Sequence, residues 1–244
     1  MIVAVKPMSL LALTFSLVIA VGCNRSPTDP QASDSATAIT FTDDAGREIT
    51  LAEPADRIVA GASFAVELLM AVDHPPVLRP DVPERKIHPE SARSIPTFPV
   101  QHGTGPDAEA IAAARPDLVI LHVNFAPFAE NISQTLDVPV ALFEIGSIDD
   151  VATKLELLGR ITGNQQQAAQ QIEALQQGVS GAVAELPHTH PRVLALFGTP
   201  EAFYAYRDSS YLGSMINALD GVNLAADQEA LGGMRSIAPL NLEQ

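Results

Sequence analysis

The sequence carries one cysteine, no tryptophan, aromatics at only 5 %, and 14 basic residues against 29 acidic ones. A single cysteine excludes a disulfide framework and any cysteine-rich metal site. The shortage of Lys and Arg, with a net charge of −15, excludes nucleic acid as a partner and an anionic membrane surface as a docking plane, since both demand a basic face. So few aromatic residues argue against a base-stacking platform or an aromatic cage. No Gly-x-x-x-x-Gly-Lys phosphate loop occurs, so the chain is not itself an ATPase. What is abundant is apolar: 47 % of 244 residues, enough for a sizeable core in one or two domains.

The N-terminus reads as an address. Lys6 precedes an uncharged apolar run from Met8 to Gly22, the length of a secretory segment and short for a membrane-spanning helix. The run ends in Ala20-Val21-Gly22-Cys23, which resembles a bacterial lipoprotein cleavage box. That resemblance implies a signal peptide over 1–22, a lipid on Cys23, and a protein held outside the cytoplasm on a bacterial membrane. The alternative is an ordinary signal peptide followed by a chance cysteine. Residues 24–38, NRSPTDPQASDSATA, have no apolar periodicity and complete a flexible tether over 23–38.

Beyond the tether, strands and helices alternate. The patterns predict a hairpin from 39–42 and 48–51 about the turn Asp44-Ala45-Gly46-Arg47, then a strand at 57–60. A helix over 64–72 follows, with Ser63 as its cap. The proline-dense stretch 74–106 reads as irregular. Asp107 caps a helix over 108–114 that Pro116 stops; a buried strand over 118–122, a helix over 128–136 and a strand over 139–143 come next. This rhythm predicts an α/β fold with a mainly parallel sheet covered on both faces.

Residues 149–188 break the rhythm with helices. Leu155, Leu158 and Ile161 mark the first, and Gly163-Asn164 interrupts. From Gln165 to Leu186 an uninterrupted helix is expected, about 33 Å long at 1.5 Å per residue. It reads as a strut between two lobes, or alternatively as an ordinary covering helix or a coiled-coil partner. A second, partial α/β lobe follows over 189–244, with strands at 192–197 and 202–206, a helix at 210–219 and a loop at 230–238. The run Ala238-Pro239-Leu240-Asn241-Leu242-Glu243 repeats the helix start Gly105-Pro106-Asp107-Ala108-Glu109-Ala110. The matching strand after it is missing, so the expectation is a C-terminally truncated chain with an incomplete second lobe.

Four phrases in order, DDAGREITL, RIVAGASFAVELLMAV, DAEAIAAARPDLVIL and LGRITGNQQQA, make the chain resemble the bacterial solute-binding proteins of the iron-siderophore and cobalamin uptake class. The resemblance runs from about Ile39 to the end. It implies two α/β lobes, 39–148 and 189–244, joined by the helices of 149–188. It also implies a small-molecule ligand between the lobes, most simply a ferric chelate, and an ABC permease with its ATPase as partner. The chain is expected to be a monomer without a resident cofactor or metal. Cobalamin, haem or a bare metal ion are the alternatives within this class.

Ligands of open α/β sheets sit beyond the carboxyl ends of the strands. In the first lobe that rule selects Ser63 and Phe64, His102 and Gly103, and His122, Asn124 and Phe125. Arg79 falls in the stretch that supplies part of the cleft wall in similar proteins. In the second lobe the candidates are Tyr204, Tyr206, Arg207 and Arg235. Arginine suits the anionic oxygens of ferric chelates, and Tyr and Phe offer apolar contact. His102 and His122 are either iron or metal ligands or hydrogen-bonded loop residues. His188 and His190 read as a solvated linker. The resemblance further assigns Glu109 and Glu243, each in the first turn of a repeated helix, to permease docking; the helix dipole favours a carboxylate there in any case.

The rival class is an exported α/β hydrolase. Gly61-Ala62-Ser63-Phe64-Ala65 has the placement of a nucleophile elbow, but Ala65 stands where glycine is needed. Gly103-x-Gly105-x-x-Ala108 follows no clean strand, which argues against a dinucleotide loop. No catalytic residue is therefore assigned.

Overall fold

A computed structural model describes residues 38–83, 89–101, 105–186, 189–199, 202–232 and 235–240. The first lobe runs β1 (Ile39–Thr42), β2 (Glu48–Leu51), β3 (Ile58–Ala60), α1 (Ser63–Ala71), β4 (Arg79–Pro80), β5 (Thr97–Phe98), β6 (Val100–Gln101) and β7 (Gly105–Pro106). It continues with α2 (Ala108–Ala114), β8 (Leu118–His122), α3 (Ala126–Leu136) and β9 (Val140–Phe143). Then come α4 (Ile148–Thr162) and α5 (Gln165–Glu185). The second lobe adds β10 (Arg192–Val193), β11 (Leu196–Gly198), β12 (Phe203–Tyr206), α6 (Tyr211–Ala218), β13 (Val222–Asn223) and β14 (Ile237–Leu240).

The first lobe is built on the parallel sheet β3-β8-β9. Its strands are apolar at every position before His122, the last residue of β8, because both faces are covered. Ile58, Ala60, Leu118, Ile120, Ala141 and Phe143 point into one core with α1 and α4. The alternate residues Val59, Val119, Leu121, Val140 and Leu142 point into a second core with Ile111 of α2 and Ala129 and Ile132 of α3. A period of two along each strand thus divides one sequence run between two cores. Asp107 caps α2 as expected, accepting from the amides of Glu109 and Ala110.

Several expectations need correction. Ser63 is the first residue of α1, not its cap; Ala62 holds the cap position with no side-chain bond. Helix α2 ends where expected, and Arg115 follows it in the left-handed conformation at φ 47°. The strand expected at 192–197 is two strands, because β10 pairs in parallel with β13 while β11 turns to pair antiparallel with β12. Residues 237–240, read as loop and then helix start, form a strand antiparallel to β12. The second lobe therefore departs from a mainly parallel sheet. Its three-stranded sheet β11-β12-β14 is antiparallel beside one parallel pair.

The helical corner between α4 and α5 is tight. Gly163 ends α4 at φ +79°, and the missing side chain of Gly159 lets Ala168 approach: a Cβ there would stand 2.6 Å from the Ala168 Cβ. Asn164 Nδ2 donates to the Val72 carbonyl at 2.8 Å, fastening the corner to the end of α1. Beyond Ile172, α5 leaves the core: Leu175, Val179 and Val183 stay half-buried and the remaining residues are exposed. Gly178 and Gly181 sit in this exposed part, and a methyl group added to either would meet no atom within 4 Å. Neither is required by packing, so Gly178→Ala and Gly181→Ala are each expected to stabilise the helix by about 0.5–1 kcal/mol. A rise in the urea midpoint of each variant checks this; unchanged midpoints would show that the strut does not unfold with the rest, and lower ones that glycine is required there.

Candidate functional site

The carboxyl ends of β8 and β9 open on a cavity of about 710 Å³. Asp44, His122, Asn124, Glu144 and Gly146 of the first lobe line one side, together with Asp150 at the start of α4. Ser209, Arg235 and Ser236 of the second lobe line the other. The volume is that of a small-molecule site, and the position follows the strand-end rule for α/β sheets.

Each wall is positioned by its local chemistry. Asp43, at the turn of the β1–β2 hairpin, accepts from the amides of Ala45, Arg47 and Leu142 and from the Arg47 guanidinium. Arg47 also donates to the Val140 carbonyl at 2.7 Å. The hairpin is thereby tied to the end of β9, and its next residue, Asp44, is delivered to the cavity. Burial pushes the Asp43 carboxyl up, but the Arg47 guanidinium and the backbone donors outweigh that and hold it below the usual carboxylate range. Asp44 pairs with Lys154 at 2.7 Å and accepts the Glu144 amide at 2.7 Å. Lys154 is otherwise buried against the Phe143 ring. Asp150, in the first turn of α4, accepts the Gly146 amide at 2.9 Å.

His122 closes β8. Its Nδ1 accepts the Asn124 amide at 3.0 Å, and the Phe64 ring meets it edge-on at 6.0 Å. In the second lobe, the Arg235 carbonyl accepts both Arg207 Nη1 at 2.8 Å and Ser209 Oγ at 2.7 Å. That pair of bonds holds the 235–236 segment against the corner before α6.

Of the residues expected from sequence, His122, Asn124 and Arg235 come together at the cavity, and Phe64 stands behind His122. Others lie elsewhere. Arg79 is buried, with Nε donating to the Ala92 carbonyl and Nη1 to the Pro80 carbonyl, so it braces the irregular stretch. Phe125 is buried in the second core beside Phe128. Tyr204 and Tyr206 pack on the Phe197 ring, at 5.0 and 5.3 Å between centroids. Arg207 is not a lining residue, and its shielded Nε has no partner among the described residues. Ser63 lies half-buried at the start of α1. Glu109 is exposed on the first turn of α2. Cys23, His102, Gly103 and Glu243 lie outside the described residues.

Sequence reading missed Asp44, Glu144, Gly146, Asp150, Ser209 and Ser236. For Glu144 and Gly146 the signal was present: they directly follow a correctly placed strand. Among the described residues, no group of three His, Cys, Asp or Glu side chains is placed to hold a metal ion.

The sequence profile of the family described as "Periplasmic binding protein" matches residues 58–244. Solved structures share the fold. An ABC transporter substrate-binding protein from Listeria monocytogenes is 22 % identical with a TM-score of 0.63, over 77 % of this chain and 70 % of that one. An ABC-type Fe3+-hydroxamate transport system protein from Saccharomonospora viridis is 21 % identical with a TM-score of 0.62, over 84 % and 74 %. The periplasmic haem-binding protein HutB of Vibrio cholerae is 21 % identical with a TM-score of 0.61, over 77 % and 70 %. No curated protein matches the sequence. The family expected from the four ordered phrases is thus the one found, and the hydrolase alternative falls with it: the chain belongs to the periplasmic binding protein family, whose members bind solutes and are not enzymes.

Proposed function

We propose that the protein is the extracytoplasmic receptor of an ABC import system, capturing an iron chelate between its lobes and delivering it to the permease. The observation that carries this reading is the cavity itself. It is of ligand size, lies at the strand ends of the first lobe, and is completed by Arg235 and two serines from the second. The proteins of similar fold that carry Fe3+-hydroxamates or haem in their names support a metal chelate as the cargo class. His122, Asn124, Arg235 and Phe64 are the proposed ligand contacts. Glu109 and Glu243 are the proposed permease contacts, and Cys23 the proposed lipid attachment site. The proposed division is tether over 23–38, lobes over 39–148 and 189–244, and connecting helices over 149–188.

The experiment is a set of thermal melts of the purified protein, alone and with a ferric tris-hydroxamate, ferric citrate, haemin, cobalamin or divalent metal ions. A ligand present at about 100 times its dissociation constant adds about 2.7 kcal/mol and raises the melting temperature by several degrees. A shift with an iron chelate is the expected result. A shift with cobalamin or bare metal alone would replace the cargo, and no shift with any of them would sink the receptor reading.

A further inference from the structure

We infer that the cavity selects an iron chelate bearing a positively charged arm, and that Glu144 is the residue that reads that charge. The inference rests on the receptor reading above and concerns the same site.

The guanidinium groups suited to an anionic chelate are mostly committed elsewhere. Arg79 is spent on two backbone carbonyls away from the cavity, and Arg207 spends Nη1 on the Arg235 carbonyl. Among the described lining residues Arg235 is the one permanent cation. Three carboxylates face it: Asp44, Glu144 and Asp150. Asp44 is cancelled by the Lys154 ammonium, and its second oxygen is taken by the Glu144 amide. Asp150 is engaged by the Gly146 amide and sits at the positive end of α4. Glu144 is different. It is exposed at the end of β9, and its carboxylate has no hydrogen bond or ion pair among the described residues. Its own backbone is held through Asp44, so the carboxylate is presented from a fixed point.

Among the described lining residues, the count after cancellation leaves two carboxylates against one guanidinium. An anionic chelate entering this space meets net repulsion, while an ammonium arm meets a carboxylate whose partner position is open. The chain's net charge of −15 acts in the same direction at long range, raising the local concentration of cations and lowering that of anions.

The test uses isothermal titration with three ferric tris-hydroxamates that share one core and differ in a single arm, ending in an ammonium, an acetamide or a carboxylate. The ammonium form is expected to bind tightest and the carboxylate form weakest. Each unit of charge should change affinity by about fivefold, the upper range for a solvent-exposed pair. The spread should narrow as salt rises from roughly 0.05 to 0.5 M. Glu144→Gln should remove the preference for ammonium over acetamide, and Glu144→Lys should reverse it. Melting temperatures of both variants should stay at the wild-type value, since the side chain is exposed. Tightest binding of the carboxylate form, or a preference that Glu144→Lys does not move, overturns the inference and leaves the receptor reading intact. Binding of haemin alone, whose propionates are anionic, does the same. Failure of every chelate to bind overturns the receptor reading and this inference with it.

Discussion

Asp43→Ala is expected to destabilise the protein by about 3–5 kcal/mol, the range for breaking a buried ion pair by removing one partner. The Asp43 side chain is fully shielded, while Arg47 remains 31 % exposed. Truncation leaves the Ala45, Arg47 and Leu142 amides without their acceptor and the Arg47 guanidinium without its counterion. Unmade bonds of this kind cost more than the same bonds contribute when formed. The loss is a large fraction of a domain's whole stability of roughly 5–15 kcal/mol, so the variant should melt far below the wild type. Urea unfolding followed by circular dichroism gives the number, and a cost below 1 kcal/mol would mean that the hairpin is not fastened to β9 as described.

The pH dependence separates charge from shape. The Asp43 carboxyl is held below its ordinary value of 3.8 in the folded protein, against the upward push of burial, chiefly by Arg47. A depressed carboxyl contributes stability that is fully present above the unfolded-state value and is lost as pH falls through the folded-state value. The wild type should therefore lose stability as the pH falls below about 4 more steeply than Asp43→Asn, which has no proton to take up. The two stability curves should converge in acid and separate above pH 5. Parallel curves across that range would show that Asp43 is not the group responsible.

The first lobe was legible because its physics is local. Uninterrupted apolar runs at 58–60, 118–121 and 140–143, the Asp107 cap and the Gly163 stop each declare an element within a few residues of sequence. The second lobe was less legible because its pairing is decided at a distance. Nothing within Arg192–Phe197 states that its first half will pair with β13 and its second with β12. Asn223 settles part of that choice from outside, donating to the Tyr206 carbonyl and the Asp208 carboxylate while accepting the Ala225 amide. The candidate site divides in the same way. His122 and Asn124 follow a strand end that reads plainly, whereas Arg79 looks like a ligand donor until the Ala92 carbonyl, 13 residues away, is found to hold it. Asp44 looks like ordinary turn chemistry until Lys154 reaches it across 110 residues. Residue type suggests what a side chain is able to bind; long-range contacts decide which of those options is already used.

Gly213→Ala is expected to disrupt the second-lobe wall of the cavity while leaving the first lobe folded. A Cβ at this position would stand 2.0 Å from the Arg207 carbonyl oxygen and 2.7 Å from the Asp208 Cα. Both are backbone atoms, so no side-chain rotation relieves the overlap, and α6 or the preceding corner must move. That corner is tightly wound: Ser210 Oγ donates to the Arg207 carbonyl at 2.6 Å and accepts the Gly213 amide at 2.9 Å. The same corner presents Arg207 and Ser209 to the Arg235 carbonyl. Moving it releases the segment carrying Arg235 and Ser236, two of the three second-lobe residues at the cavity. Overpacking of this kind costs about 1–3 kcal/mol. The second lobe buries few large apolar side chains, with Leu194, Leu196, Phe203, Leu212, Val222 and Leu224 all exposed. The cost should therefore appear as local opening and not as global unfolding. Amide hydrogen exchange over 207–214 and 235–238 should accelerate on the order of tenfold or more, while β8 and β9 keep wild-type protection. Affinity for a ferric tris-hydroxamate should fall by a similar factor. Ser210→Ala, which removes the cap without adding an atom, should show a smaller version of the same pattern, about 1 kcal/mol. Wild-type exchange over 207–214 in Gly213→Ala would rule out the close backbone approach on which this wall depends.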